Sequence, residues 1–341
     1  MAVPNVPPFK VAAVQAEPVW LNARATAEKT CTLIKEAASS GAKLVAFPEL
    51  WIPGYPYFLW VKDFGSSMPF SMKYAANALT ADSPEIQLIK DACAANSIWT
   101  SFGFAERRNG SMYMSNCIIN SEGSIVNIRR KIKPTGLERV LFGEASGDAL
   151  DNVVTTPFGR VGNLQCWEHI QPLLKYHTYS LHEHIHVASW PGCFPLNGGE
   201  PYSMTSGGVK ALSSVYAIEG GSFTVMTTQL VTEEHAEAVG LDYRPNGPSD
   251  HDFFLPPGGG CAAIFAPDGR ELTAPLPCAE EGILYAEIDY SMSNATKLLA
   301  DCVGHYSRPD LLRLSVNRQV QSVLASGETK QPDVTEFTAQ A

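Results

Sequence analysis

The stretch that decides the fold is FKVAAVQAEPVWLNARATAEKTCTLIKEAASSGAKLVAF, residues 9–47. Phe9–Ala16 is an apolar run of strand length. Asn22 stands where a helix cap belongs, Ala27, Cys31, Ile34 and Ala38 recur at helical spacing, and Gly41 closes the pattern. Leu44–Phe47 is a second strand, stopped by Pro48-Glu49. Strand, helix and strand in succession are the unit of α/β layering.

The same rhythm runs on along the chain. Ser83-Pro84-Glu85 opens a helix whose apolar face is Ile86, Ile89 and Cys93. Strands are predicted near Ile98–Ala105, Met112–Asn120 and Ser124–Ile132, the last two joined at Ser121-Glu122-Gly123. In the second half Arg160–Gln165, His184–Trp190, Phe223–Gln229, Ala262–Ala266 and Ile283–Ile288 read as strands. His169–Leu181 reads as helical, Ser213–Gly220 as the end of a helix, and residues 256–260 as a turn-rich loop. No Pro/Ser-rich linker divides the chain, so one domain is expected over residues 1–325, with a polar, mobile tail at 326–341.

Composition narrows the function. Of 341 residues, 45% are hydrophobic and 18% charged, against about 25% charged in an average soluble protein. That excludes a disordered chain and implies surface hidden between subunits. Net charge is −10, which excludes general attraction to nucleic acid or anionic lipid. The N-terminus MAVPNVPPFK lacks the basic and apolar regions of a secretory signal. Leu44–Val61 is apolar but carries Pro48, Glu49, Pro53, Gly54 and Pro56, which argues against a membrane span. The eight cysteines are scattered without a C-x-x-C pair, so reduced thiols and a cytoplasmic protein are expected.

Four features carry possible chemistry. Cys166, in Gly162-Asn163-Leu164-Gln165-Cys166-Trp167-Glu168-His169, sits where a strand gives way to a helical pattern. A sharp turn there exposes a nucleophile, and a helix N-terminus lowers a thiol pKa; the alternative is a Cys that merely packs. Glu49, between Phe47-Pro48 and Leu50-Trp51, is expected to be partly desolvated and raised towards the range of a general base, unless it faces water. Arg129-Arg130-Lys131-Ile132-Lys133 reads as a solvated basic strand end, or as the source of one inward lysine, with Lys131 and Lys133 on one face. His182-Glu183-His184-Ile185-His186 matches the H-E-x-x-H pattern of zinc peptidases. It runs straight into a strand, which separates its histidines, so they are read as packing or hydrogen-bonding groups. A Cys–His pair of the papain type has no supporting sequence around Cys166.

Taken together, Lys43–Tyr57 (KLVAFPELWIPGYPY), Arg129–Arg139 (RRKIKPTGLER), Asn163–His169 (NLQCWEH), His184–Gly192 (HIHVASWPG) and Gly304–Asp310 (GHYSRPD) resemble the nitrilase superfamily, and its true nitrilases in particular. The resemblance implies a four-layer αββα sandwich. It implies Cys166 as nucleophile, Glu49 as general base, Lys131 as the cationic group and Glu138 as a second glutamate that positions them. Trp167 and Glu168 follow the nucleophile with backbone N–H groups towards developing charge, and Tyr57, Phe58, Trp60 and Trp190 are candidates for an apolar pocket. Trp167, Glu168, Trp190 and Tyr57 are accordingly expected to bind substrate. The implied reaction is hydrolysis of an aromatic or arylaliphatic nitrile to acid and ammonia, with no metal or organic cofactor. Cyanide hydration, an amidase and a non-enzymatic filament scaffold are the competing readings. Homodimers that extend into helical filaments are the implied assembly. One departure stands out: Gly136 occupies a position where true nitrilases often have His.

Overall fold

A computed structural model describes residues 4–197, 200–241 and 253–321; the tail expected at 326–341 lies outside the described residues. In chain order the elements are β1 (Phe9–Ala16), α1 (Ala23–Ser39), β2 (Ala42–Ala46), α2 (Phe58–Val61), α3 (Phe64–Ala76), α4 (Pro84–Asn96), β3 (Trp99–Arg108), β4 (Ser111–Ile119) and β5 (Ile125–Arg130). They continue with β6 (Val153–Thr156), β7 (Gly159–Gln165), α5 (Pro172–Ser180), β8 (Ile185–Ser189), α6 (Ser206–Gly220), β9 (Phe223–Gln229), β10 (Ala263–Phe265), β11 (Gly282–Ile288) and α7 (Tyr290–Leu299). Short 3-10 turns lie at Gly136–Val140, between β5 and β6, and at Cys166–Ile170, directly after β7.

The strand order is β5-β4-β3-β2-β1-β9-β8-β7-β6, with β11 on β1 and β10 on β9. Two sheets are joined at a narrow seam. β1 pairs with β11 along Phe9–Gln15, and only Gln15 and Ala16 reach across to Thr228 and Gln229 of β9. Gln15 is fully buried there; its Nε2 donates to the carbonyls of Pro277 and Glu280 and its Oε1 accepts from the Ala262 N–H.

Strand alternation makes the layers. On β1, Ala12, Val14 and Ala16 face a core shared with Ala27 and Ile34 of α1 and Ile86, Ile89 and Cys93 of α4. Val11 and Ala13 face the other way, against Ile185 and Val187 of β8 and Phe223 and Val225 of β9. On β8 and β9 the alternate residues Ala188 and Met226 pack with Val209 and Ala217 of α6. The order is helices, sheet, sheet, helices: the αββα sandwich.

Direction decides where chemistry gathers. β1, β2 and β3 are mutually parallel, and β5 runs with them because two antiparallel pairings separate it from β3. β7, β8 and β9 are parallel, and β9 is parallel to β1. The carboxyl ends of seven strands therefore share one edge, the usual place for a ligand site in such sheets.

Four elements escape the sequence reading: α2, α3, β6 and α7. α3 contains Gly65, Ser66, Ser67 and an internal Pro69, poor helix formers that hide it; packing of Phe70 and Tyr74 on Phe58 offsets that cost. The helix expected over His169–Leu181 is broken. Gln171 precedes Pro172 and is extended (φ −92°, ψ 101°), because a residue before proline avoids the helical region.

Candidate active site

Four of the expected residues sit just past strand ends on the common edge. Glu49 follows β2, Lys131 follows β5, Cys166 follows β7, and Glu138 lies in the 3-10 turn that the chain enters after Lys131. Lys131 Nζ is 2.8 Å from Glu49 Oε1 and 2.9 Å from Glu138 Oε2. Carboxylate oxygens of both glutamates and Sγ of Cys166 lie within 4.8 Å of one another. This is the donor set of a cation site, and the Lys131 ammonium supplies the cation. All four residues are buried.

Burial sets the protonation. It pushes Glu49 up to about 8, against the pull of Lys131 and with help from Glu138. Burial opposes the charge of Lys131, but Glu138 and Glu49 outweigh it and hold its pKa well above the ordinary lysine value. The Cys166 thiol is pushed well up by burial and by Glu49, although Lys131 and the Trp167 N–H pull the other way. The expected lowering by a helix N-terminus is therefore overturned: a five-residue 3-10 turn cannot outweigh desolvation. At rest Cys166 is a thiol and needs a base. Glu49 Oε2 accepts no hydrogen bond from the described residues, which leaves a lone pair for that proton.

Local backbone serves this geometry. Cys166 has φ 49° and Leu50 has φ 45°, left-handed conformations that non-glycine residues rarely adopt and that gather at functional turns. Glu138 is held by the Thr135 N–H at 2.6 Å and the Tyr55 hydroxyl at 2.8 Å, and Tyr55 in turn accepts from Trp60 Nε1 at 3.1 Å. Gly136 has φ 51°, and a Cβ there would come within 2.8 Å of the Trp60 ring. The indole thus stands where a side chain at 136 would go.

A cavity of about 270 Å³ opens onto Cys166 and Glu138. Its walls include Trp60, Trp167, Trp190, Met204, Val209 and Phe254. Of the four expected binding residues, Trp167 and Trp190 line it. Tyr57 does not; its hydroxyl accepts the Gly192 N–H at 2.8 Å and so supports the wall from behind. Glu168 does not either, because its carboxylate is committed to Arg129.

That Arg129–Glu168 pair is the main element the sequence reading missed. Arg129 Nη1 and Nη2 donate to the two oxygens of Glu168 at 2.6 and 2.5 Å, and the N–H groups of Ile132 and Gln165 add bonds of 2.9 Å each. Burial works against the charge on Glu168, but Arg129 and these donors hold its carboxyl below the usual range. The clamp joins the residues flanking Lys131 to those flanking Cys166. Alternation from Lys131 back to Arg129 was the available signal. Lys133, expected to share that face, is exposed and pairs with Glu144, because β5 ends at Arg130 and the two-residue period ends with it. The H-E-x-x-H histidines are not on a helix: α5 stops at Ser180, and His184 Nδ1 accepts the Arg160 N–H.

The carbon–nitrogen hydrolase family model matches residues 10–298. An arylacetonitrilase of Aspergillus kawachii is 49% identical over 92% of this chain and 93% of its own. An aliphatic nitrilase of Rhodococcus rhodochrous is 46% identical over 91% and 83%. Among solved structures, a carbon–nitrogen hydrolase from Helicobacter pylori superposes with a TM-score of 0.65 at 18% identity, covering 89% of this chain and 97% of that one.

Removing one partner of a buried, hydrogen-bonded pair leaves an uncompensated charge. Arg129→Met is expected to cost about 3–5 kcal/mol of stability, and Arg129→Met with Glu168→Gln to recover part of it. Urea denaturation of the three proteins measures this; a single variant as stable as the parent would mean the clamp holds nothing.

Proposed function

The chain belongs to the carbon–nitrogen hydrolase family, and on that premise we propose that it is a nitrilase acting on arylaliphatic or aromatic nitriles. The observation that carries this reading is a buried Glu49–Lys131–Glu138–Cys166 cluster whose Cys166 and Glu138 open onto an aromatic cavity. That cavity, about 270 Å³, is several times the ~30 Å³ share of a water molecule. Cyanide, of water-like size, would leave most of it empty, whereas a ring-bearing nitrile finds apolar walls.

A nitrile carbon is a weak electrophile with no leaving group, so attack must be coupled to proton delivery at nitrogen. Glu49 takes the Cys166 proton as sulfur bonds to carbon, and passes it to the nitrogen. Lys131 stabilises the charge that develops there, and Glu138 holds Lys131 in place. The product is a thioimidate. Water deprotonated by Glu49 adds and that proton goes to nitrogen; the remaining hydroxyl proton follows as the carbonyl forms, so ammonia leaves with both and a thioester remains. A second water releases the acid and restores the thiol.

The assembly we propose is a homo-oligomer. Leu173 of α5 (70% exposed) and Val215 and Ile218 of α6 leave an apolar surface on helices tied by Lys175–Glu219. A free nucleophilic thiol suits a reducing compartment such as the cytoplasm. The described residues contain no helix long and apolar enough to cross a membrane.

Purified protein incubated with phenylacetonitrile, benzonitrile and cyanide should release ammonia and acid from the first two, and Cys166→Ala should release none. Turnover of cyanide alone would reverse the substrate assignment. Because Glu49 acts as carboxylate and its pKa is raised to about 8, kcat/KM should fall as pH drops through that region; a flat profile from pH 5 to 9 would remove Glu49 as base. Sedimentation should find assemblies larger than one chain, reduced in size by Leu173→Asp.

A further inference from the structure

Glu183 and His186 of the look-alike zinc motif belong to a different device, together with His169. Tyr216 O–H donates to Glu183 Oε1 at 2.5 Å, and Glu183 Oε2 is 2.9 Å from His186 Nδ1. His186 Nε2 is 3.0 Å from His169 Nε2, and His169 Nδ1 is 2.6 Å from the carbonyl oxygen of Cys166. Every member is buried. His186 stacks on Tyr216 with centroids 3.7 Å apart, and His169 stacks on the cavity residue Trp190 at 5.1 Å. Gly162 makes the room, since a Cβ there would fall 1.8 Å from Glu183 Oε2.

The partners assign the protons. A carbonyl only accepts, so His169 Nδ1 carries hydrogen. Burial, reinforced by His186, lowers the pKa of His169 well below the ordinary value, so its ring is neutral and Nε2 is a lone pair. His186 Nε2 must then donate. A bare Nδ1 lone pair would repel the Glu183 carboxylate, so a proton also lies on that contact.

The string ends on a functional peptide. The Cys166 carbonyl and the Trp167 N–H belong to one planar trans unit and point in opposite directions. A bond fixing the carbonyl therefore aims the N–H, and donation to the carbonyl strengthens the N–H as a donor. That N–H pulls the Cys166 thiol pKa down, against burial. We propose that Glu183, His186 and His169 are positioning residues: a proton-ordered string that holds the Cys166–Trp167 peptide, at its left-handed φ, with the N–H aimed at the reacting sulfur. The titratable groups facing the string are Tyr216 of α6, Tyr179 and Lys175 of α5 and Arg129 of β5. Beyond Cys166 stand Glu49, Lys131 and Glu138.

The inference rests on Cys166 as nucleophile, so its test includes a readout that needs no nitrile. Alkylation of Cys166 by iodoacetamide, located by peptide mass spectrometry, is followed against pH beside kcat and KM for phenylacetonitrile. His169→Phe keeps the stacking but loses the donor. It should lower kcat about 10–100-fold, less than loss of a direct transition-state donor, with KM nearly unchanged. Its alkylation midpoint should rise by about one pH unit, a tenfold change in thiolate. Glu183→Leu should do the same. Glu183→Gln should stay close to the parent, because its amide donates to His186 Nδ1 while its oxygen accepts from Tyr216. An unchanged midpoint and kcat in folded His169→Phe would overturn the proposal. So would a Glu183→Gln as impaired as Glu183→Leu, and that pair decides alone if His169→Phe does not fold. Absence of nitrile turnover in the parent, with the alkylation shifts intact, would overturn the substrate reading and leave the string standing.

Discussion

One ammonium between two carboxylates, out of contact with water, is the constraint on which the site depends. Lys131 is in ion-pair contact with both Glu49 and Glu138. Desolvated charges of this kind are costly unless their partners are placed well, and two carboxylates beside one cation retain an excess negative charge. Burial explains both halves of the chemistry, against the pull of Lys131. With Glu49 alongside, it keeps the Cys166 proton on sulfur at rest, and with Glu138 alongside, it keeps Glu49 basic enough to remove that proton when an electrophile arrives. Lys131 stays charged throughout and can stabilise whatever charge develops on the substrate.

The rest of the architecture serves to hold those groups against their repulsion. Seven strand ends on one edge deliver them, and the seam at Gln15 and Ala16 keeps the two sheets in register. The Arg129–Glu168 clamp ties the chain around Lys131 to the chain around Cys166. The Glu183–His186–His169 string fixes the peptide that follows the nucleophile. Each support is itself a buried polar network with most of its hydrogen-bonding capacity filled, as a low-dielectric interior requires. The aromatic walls exclude water from the same space, so the forces that raise the Glu49 pKa also shape a pocket for a ring.

Much of the fold was legible along the chain because strand and helix periods are local. Phe9–Ala16 and Phe223–Gln229 form strands with those same bounds, and Asn22 caps α1 as its side chain suggested. α3 was not legible, since its glycine, serines and proline argue against a helix that packing on Phe58 stabilises. The two-residue period turns Lys131, the first residue past β5, inward, but it misplaces Lys133 further on, where the strand geometry no longer holds.

The sequence by itself determined the α/β layering, the identity of Cys166, Glu49, Lys131 and Glu138 as residues of one motif set, and the aromatic character around them. Only the tertiary structure decided that the Cys166 thiol is raised instead of lowered, and that Glu168 and Tyr57 support the site from outside the cavity. It alone decided that Trp60 stands beside Gly136, and that a look-alike metal motif is wired to the nucleophile's carbonyl. The physical reason is range. Periodicity, capping and turn chemistry act over a few neighbouring residues, whereas desolvation and buried charge pairing sum over groups far apart in the chain and exist only once the strands have brought them together.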